Sequence, residues 1–207
     1  MFSIELQPFA TLALLDGLAC VLLAAAAAAK ARLAGAQFMA ALVLGALCGL
    51  SAPFIREISL GGSARGVFLS MPDCALAGAL GGITALLLAP RQGQKLFFWL
   101  DASASGLAAC FAASVAAAEL GIVGALVLGL VCGITPGILR DICLGDTPLA
   151  LEENWYASGV ALAAMLNLFL LFIPLEMLSN IERRPIFCIL CGAVFFCVLR
   201  GFKGKLS

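Results

Sequence analysis

Two stretches of this chain carry the same side-chain chemistry in the same order. Residues 48–61 read CGLSAPFIREISLG and residues 132–145 read CGITPGILRDICLG, a constant offset of 84 residues. Each holds glycine and proline, a hydroxyl (Ser51, Thr135), and an arginine followed at once by an acid (Arg56-Glu57, Arg140-Asp141). Proline removes an i to i−4 hydrogen bond and glycine admits unusual backbone angles. The helices containing Gly49 to Pro53 and Gly133 to Gly137 are therefore predicted to kink or unwind there. In hydrocarbon, freed carbonyls are costly unless they face water or protein. Carbonyls and hydroxyls around a polar constriction replace the water shell of a small cation. Gly49, Ser51, Pro53, Gly133, Thr135 and Gly137 are thus the candidate lining of an ion path. The plainer alternative is a pair of Gly-Pro kinks that serve helix packing.

The charged pairs Arg56-Glu57 and Arg140-Asp141 follow the breaks closely. Charges at such depth face a bundle interior or a water-filled cavity, or else sit at the interface and snorkel. In the interior, the arginines would hold exposed carbonyls and the acids would concentrate cations. Two further acids, Asp16 and Asp101, each follow a leucine near the expected start of a span, where aspartate is a preferred N-cap. Asn167 has no counterpart in the other copy and is expected to make an interhelical hydrogen bond. Glu176 and Glu182 are expected at the outer surface.

Composition sets the frame for these residues. The chain has 207 residues, 63% of them hydrophobic and 12% charged, with a mean hydropathy of +1.13. Soluble domains are nearer half apolar and a quarter charged. At roughly 20 apolar residues per helical span, about seven spans fit. The apolar runs are continuous rather than alternating, which favours helices over a barrel. The spans are placed at about 8–29, 33–58, 74–90, 101–118, 121–144, 157–178 and 185–201. The first residues, MFSIELQPFA, lack the basic start of a signal peptide, so the first span is expected to direct its own insertion.

The duplicated stretches belong to a longer repeat of about 85 residues, in which Leu15-Asp16 is echoed by Leu100-Asp101. Each copy, about 8–90 and 100–178, holds three spans. An odd number forces the second copy to enter the membrane with opposite polarity. The expected fold is an all-α integral membrane protein of seven helices, a 3+3 inverted repeat plus one C-terminal helix, with helices 2 and 5 broken. Inverted repeats with paired broken helices are a transport architecture with the site near the midplane. The seventh span lies outside the repeat, and a packing or oligomerisation role is expected for it. Counting Lys and Arg with the N-terminus outside puts eight on the inner side (Lys30, Arg32, Arg91, Lys95, Arg140, Arg200, Lys203, Lys205) and four outside. This favours a cytoplasmic C-terminus.

The same composition argues against other functions. Net charge is zero with no basic tail, so nucleic-acid binding has no support. There is no histidine, which removes the commonest metal ligand and proton shuttle. The nine cysteines fall mostly in apolar runs and read as small packing residues, including the Cys188/Cys191 pair. No acids stand as a catalytic pair, so neither an enzyme nor a resident cofactor or metal is expected.

These residues resemble the trimeric intracellular cation (TRIC) channel family in its prokaryotic branch, which overlaps a family labelled glycine transporter. The resemblance covers about residues 10–178. In the second copy it rests on Leu100-Asp101, Gly133, Gly137, Leu139-Arg140-Asp141, Leu144-Gly145 and Pro148, with Tyr156 opening the sixth span. The first copy departs from the pattern: Gly49-Leu-Ser-Ala-Pro53 stands in place of a run of glycines, and the acid is Glu57. The resemblance implies a homotrimer in a prokaryotic inner membrane, surrounded by and able to bind lipid, with one pore per protomer along kinked helices 2 and 5. It implies conduction of potassium or sodium. A secondary transporter for a small solute such as glycine would use the same broken helices, and a structural membrane scaffold is the third reading.

Overall fold

A computed structural model describes residues 7–62, 72–172 and 184–203. All regular structure among them is helical. Helix α1 is Gln7–Leu33 and α2 is Phe38–Ser59. The long run Pro72–Leu144 is turned sharply at Gly93 (φ 44°) and Gly121 (φ 67°). Both angles lie in the left-handed region that glycine adopts without strain. The run therefore folds as three rods, α3 (72–92), α4 (94–120) and α5 (122–144). A single turn, Leu149–Glu152, leads into α6, Asn154–Phe172, and the last helix is α7, Arg184–Lys203. Glu176, Glu182 and Arg65, as well as the last six residues expected in the sixth span, lie outside the described residues.

Length and composition make Leu12–Leu33, Phe38–Ser59, Gly93–Leu144, Trp155–Phe172 and Pro185–Phe202 able to cross a membrane. The turn at Gly121 makes two rods of the third of these. Large apolar side chains such as Leu14, Val123, Phe169 and Phe202 point outward, as a lipid-facing surface requires. The interior is built from small residues instead. Ala24 to Ala29 are all buried, and small residues let membrane helices approach closely where there is no hydrophobic drive to bring them together.

The repeat reappears as repeated contacts. A Cβ placed on Gly45 of α2 would stand 2.9 Å from the Ala24 carbonyl oxygen and 3.3 Å from the Ala28 Cβ of α1. A Cβ on Gly129 of α5 would stand 2.8 Å from the Ala109 carbonyl oxygen and 2.9 Å from the Ala113 Cβ of α4. The two triads are separated by 84 and 85 residues, so α1/α2 and α4/α5 make one and the same helix crossing. Their ends match as well. Gly61 (φ 81°) and Gly145 (φ 75°) close α2 and α5. In each, the following N–H reaches back to the carbonyl of the acid after the arginine, Gly62 to Glu57 at 2.8 Å and Asp146 to Asp141 at 2.9 Å. This is the Schellman arrangement, which satisfies the orphan carbonyls of the last turn.

One expectation is corrected here. Neither Gly-Pro stretch breaks its helix: α2 runs through Gly49 to Pro53, and the non-helical angles within Pro72–Leu144 fall at Gly93 and Gly121, away from Gly133 to Gly137. Each proline costs one hydrogen bond, but unwinding a whole turn in hydrocarbon would free several more groups. Gly133 is used for close packing instead, against Val160 and Ala109.

Two substitutions test the crossing. Gly45→Val and Gly129→Val should each destabilise the protein by about 1–3 kcal/mol through overpacking, read as a lower thermal unfolding midpoint in detergent. Gly17→Ala, where an added Cβ meets nothing within 4 Å, should leave the midpoint unchanged or slightly raised.

Candidate functional site

The expected helix-start acids are not at helix starts. Asp16 lies in the interior of α1 and Asp101 a full turn and more inside α4. Their backbones are already held by helical neighbours, so capping is not their work. Each is buried and faces the arginine of its own copy. Arg56 grips Asp16 with two parallel hydrogen bonds, Nη1 to Oδ1 at 2.7 Å and Nη2 to Oδ2 at 2.8 Å. Arg140 donates through Nη1 to Asp101 Oδ1. The planar guanidinium fork suits such carboxylate contacts. Arg56 and Arg140 are 4% and 2% exposed, which decides between interior and interfacial placement: these are interior charges.

Aromatic rings cover the arginine faces. Arg56 lies 4.8 Å from the Phe111 ring centre, and Arg140 lies 4.8 Å from that of Phe97. The contact of Arg56 with Phe111 joins the first copy to the second. Cys132 of α5 lines the same cavity as Arg56, and its thiol donates to the Ala52 carbonyl at 3.6 Å.

The two ion pairs differ in their surroundings. In the second copy the Asp101 carboxylate also accepts from Arg200 of α7 and from the Tyr156 hydroxyl at 3.3 Å. Tyr156 in turn shares a 2.7 Å hydrogen bond with Ser105. Arg140 Nε donates to Asp141 Oδ1 at 2.6 Å. Asp141 receives Lys30 at 2.9 Å and the Leu149 N–H at 3.1 Å, and Lys30 continues to Asp146 at 2.8 Å. This network draws on α1, α4, α5, α6 and α7. In the first copy, Glu57 stands 3.5 Å from Arg56 Nη2 and is partly exposed.

Two spaces adjoin these groups. A small cavity of about 10 Å³ is lined by Asp16, Cys20, Ala52, Pro53, Arg56 and Cys132, among others. A cavity of that size holds about one water. A wide vestibule of about 820 Å³ opens among Lys30, Gln94, Phe97, Asp146, Trp155 and Arg200. It gathers the ends of α1, α5 and α7 and the beginnings of α4 and α6, so α1 and α4 run in opposite directions. The vestibule and the small cavity adjoin α1 about 10 residues apart, roughly 15 Å along its axis.

The remaining predicted residues divide. Pro53 lines the small cavity. Gly137 sits by the second network, where an added Cβ would be 3.8 Å from Arg140 Nη2 and 3.9 Å from the Tyr156 hydroxyl. Gly133 is packing: its Cβ would stand 2.7 Å from Val160 and 2.8 Å from Ala109. The Ser51 hydroxyl is spent on the Cys48 carbonyl at 2.8 Å. Gly49 is buried in α2 and Thr135 is half-buried in α5. Asn167 bridges helices as expected, donating to the Cys110 carbonyl at 3.1 Å and to Ser114 at 2.9 Å. Sequence reasoning missed the parts played by Arg200, Lys30, Tyr156 and Ser105. Arg200 carried a signal, since an arginine at the end of a long apolar run needs a partner. The Cys188 thiol is buried.

Residues 98–172 match the family described as glycine transporter. No curated protein matches the sequence. Solved structures match over nearly the whole chain. A prokaryotic TRIC channel determined in 0.5 M KCl has a TM-score of 0.78 at 17% identity, covering 96% of this chain and 99% of that one. The TRIC trimeric intracellular cation channel orthologue from Rhodobacter sphaeroides has a TM-score of 0.72 at 24% identity, covering 89% and 98%. A structure reported for conductance through TRIC cation channels has a TM-score of 0.72 at 21% identity, covering 93% and 92%. The fold is that of these channel structures.

The network around Asp101 predicts a large penalty for its loss. Asp101→Ala leaves Arg140 and Arg200 without their shared carboxylate and should cost about 3–5 kcal/mol, the usual result of stranding a buried charge. Thermal unfolding in detergent would read this as a fall in midpoint larger than that of Ser105→Ala.

Proposed function

We propose that this protein is a passive channel for monovalent cations, chiefly potassium, in a prokaryotic inner membrane. The observation that carries the reading is the buried carboxylate of Asp16 on a water-sized cavity between the two repeats. Paired with Arg56 the acid is neutralised; where the pair loosens, it attracts a cation and repels an anion, and the low-dielectric surroundings strengthen both effects. The path runs along α1 and α4, from the vestibule to the small cavity, where Asp16 and Arg56 close it. The vestibule carries Lys30 and Arg200, and by the excess of basic residues on its side it faces the cytoplasm. The C-terminus lies on that side and the N-terminus outside.

The likeness to trimeric cation channels supports a homotrimer with a separate path in each protomer. The outward apolar faces then meet lipid or another copy. Pro53 and Gly137 adjoin the ends of the path, whereas Gly133 supports it through packing. Arg140 and Asp141 hold the vestibule end in place.

A second reading, transport of glycine or a solute of its size, is favoured by the family match over residues 98–172. A transporter must alternate and saturate; a channel conducts down a gradient whenever open. Purified protein in liposomes separates them. The expected result is potassium movement down its gradient, unaffected by glycine. Saturable glycine uptake driven by an ion gradient would replace the channel reading with the transporter one. Cross-linking in detergent should yield trimers, and a species no larger than a monomer would contradict the assembly.

A further inference from the structure

We propose that the vestibule is a binding site for an organic polyamine cation, and that the bound polyamine plugs the ion path from that side. The plug rests on the channel reading; the site itself does not. The vestibule, about 820 Å³, is far larger than one potassium ion fills. Its walls include Leu33, Leu149, Phe97, Phe98 and Trp155. These side chains offer no oxygen ligands to a small inorganic ion. They suit methylene segments, and organic ammonium groups also rest favourably on aromatic rings. A concave, mostly apolar space with a few polar groups to fix orientation is the usual form of a small-molecule site.

The sign of the ligand follows from the charges around this space. Lys30 is held by Asp141 at 2.9 Å and Asp146 at 2.8 Å. Arg140 and Arg200 share Asp101, and Arg140 also meets Asp141. Lys30, Arg140 and Arg200 are thus matched by Asp101, Asp141 and Asp146. Glu153 is left over. It lines the vestibule half-buried, and among the described residues it forms no ion pair. It stands directly before α6, whose N-terminal end favours the ionised acid. Asp146 remains 49% exposed while bonded to Lys30, so the space has a second carboxylate edge. Two carboxylates on one apolar-walled space match ammonium groups separated by methylenes. An anion fits less well. Arg200 already gives Nη1 to Asp101, its Nε is buried, and the rings of Phe98 and Tyr156 lie 4.6 and 5.0 Å from its guanidinium carbon.

The test uses the full-length protein and spermidine as the probe. Equilibrium dialysis in detergent, at fixed ionic strength in sodium chloride, should show saturable binding of one spermidine per chain. Glu153→Gln should weaken it at least fivefold. Glu152→Gln removes an exposed neighbouring acid that meets Thr147, and should leave binding unchanged. Both variants should keep the wild-type thermal midpoint, since neither side chain is buried. Absence of saturable binding, or equal losses in the two variants, would overturn the site, as would a wild-type affinity in Glu153→Gln. In planar bilayers, spermidine on the vestibule side should reduce potassium current, most at voltages that drive cations in from that side. It should act at least fivefold less potently on Glu153→Gln. Saturable binding without block, in protein that conducts potassium, would overturn the plug. Absence of potassium current from wild type would instead remove the channel reading, and the dialysis would still decide the site.

Discussion

The buried pairing of an aspartate on the first helix of each repeat with an arginine on the second organises this molecule. A lone carboxylate or guanidinium inside an apolar bundle is expensive, and each becomes tolerable through the other. Such pairs add little net stability, because desolvation offsets most of the attraction. What they fix is position. The hydrogen bonds from Arg56 to Asp16 hold α2 on α1, and Arg140 on Asp101 does the same for α5 on α4. The glycine-on-alanine contacts at Gly45 and Gly129 bring the helices near enough for those bonds to form. Close packing and buried charge are thus two parts of one device, made twice.

The duplication is symmetric in its crossing helices and asymmetric in its electrostatics. The network around Asp101 and Asp141 is tied down by Lys30 from α1, Tyr156 from α6 and Arg200 from α7. That last helix stands outside the repeat, and its arginine reaches into the second copy alone. The first copy sets Glu57 beside Arg56, 3.5 Å from Nη2. The wide vestibule lies by Lys30, Asp146 and Arg200, and the water-sized cavity by Asp16 and Arg56.

Much of this was legible in the sequence, for physical reasons. The spans follow from apolar runs, and the repeat from the constant offset between two unusual strings of residues. The offset also picked out Asp16, Asp101, Arg56 and Arg140, because a membrane segment retains charge only where a partner compensates it. What misled was local reasoning about helices. Glycine and proline together predicted broken backbone at Gly49 to Pro53 and Gly133 to Gly137, yet both helices continue. The need to satisfy backbone groups in hydrocarbon outweighed the local preference, and Gly133 serves contact with Val160 and Ala109. Likewise, aspartate near an expected span start suggested a cap. Helix α4 begins earlier than its hydrophobic pattern does, and Asp16 lies well inside a helix that starts at Gln7, so both acids are interior. The joining of Arg200 to Asp101 across 99 residues could not be read from spacing, because nothing in the repeat predicts which neighbour a seventh helix will choose.

If the proposed path past Asp16 conducts, it passes cations and rejects anions. The most direct measurement is the reversal potential of currents through the purified protein in a planar bilayer with unequal potassium chloride on the two sides. A cation channel gives discrete current steps that reverse near the potassium equilibrium potential. Reversal near the chloride potential, or flux without any current, would contradict it.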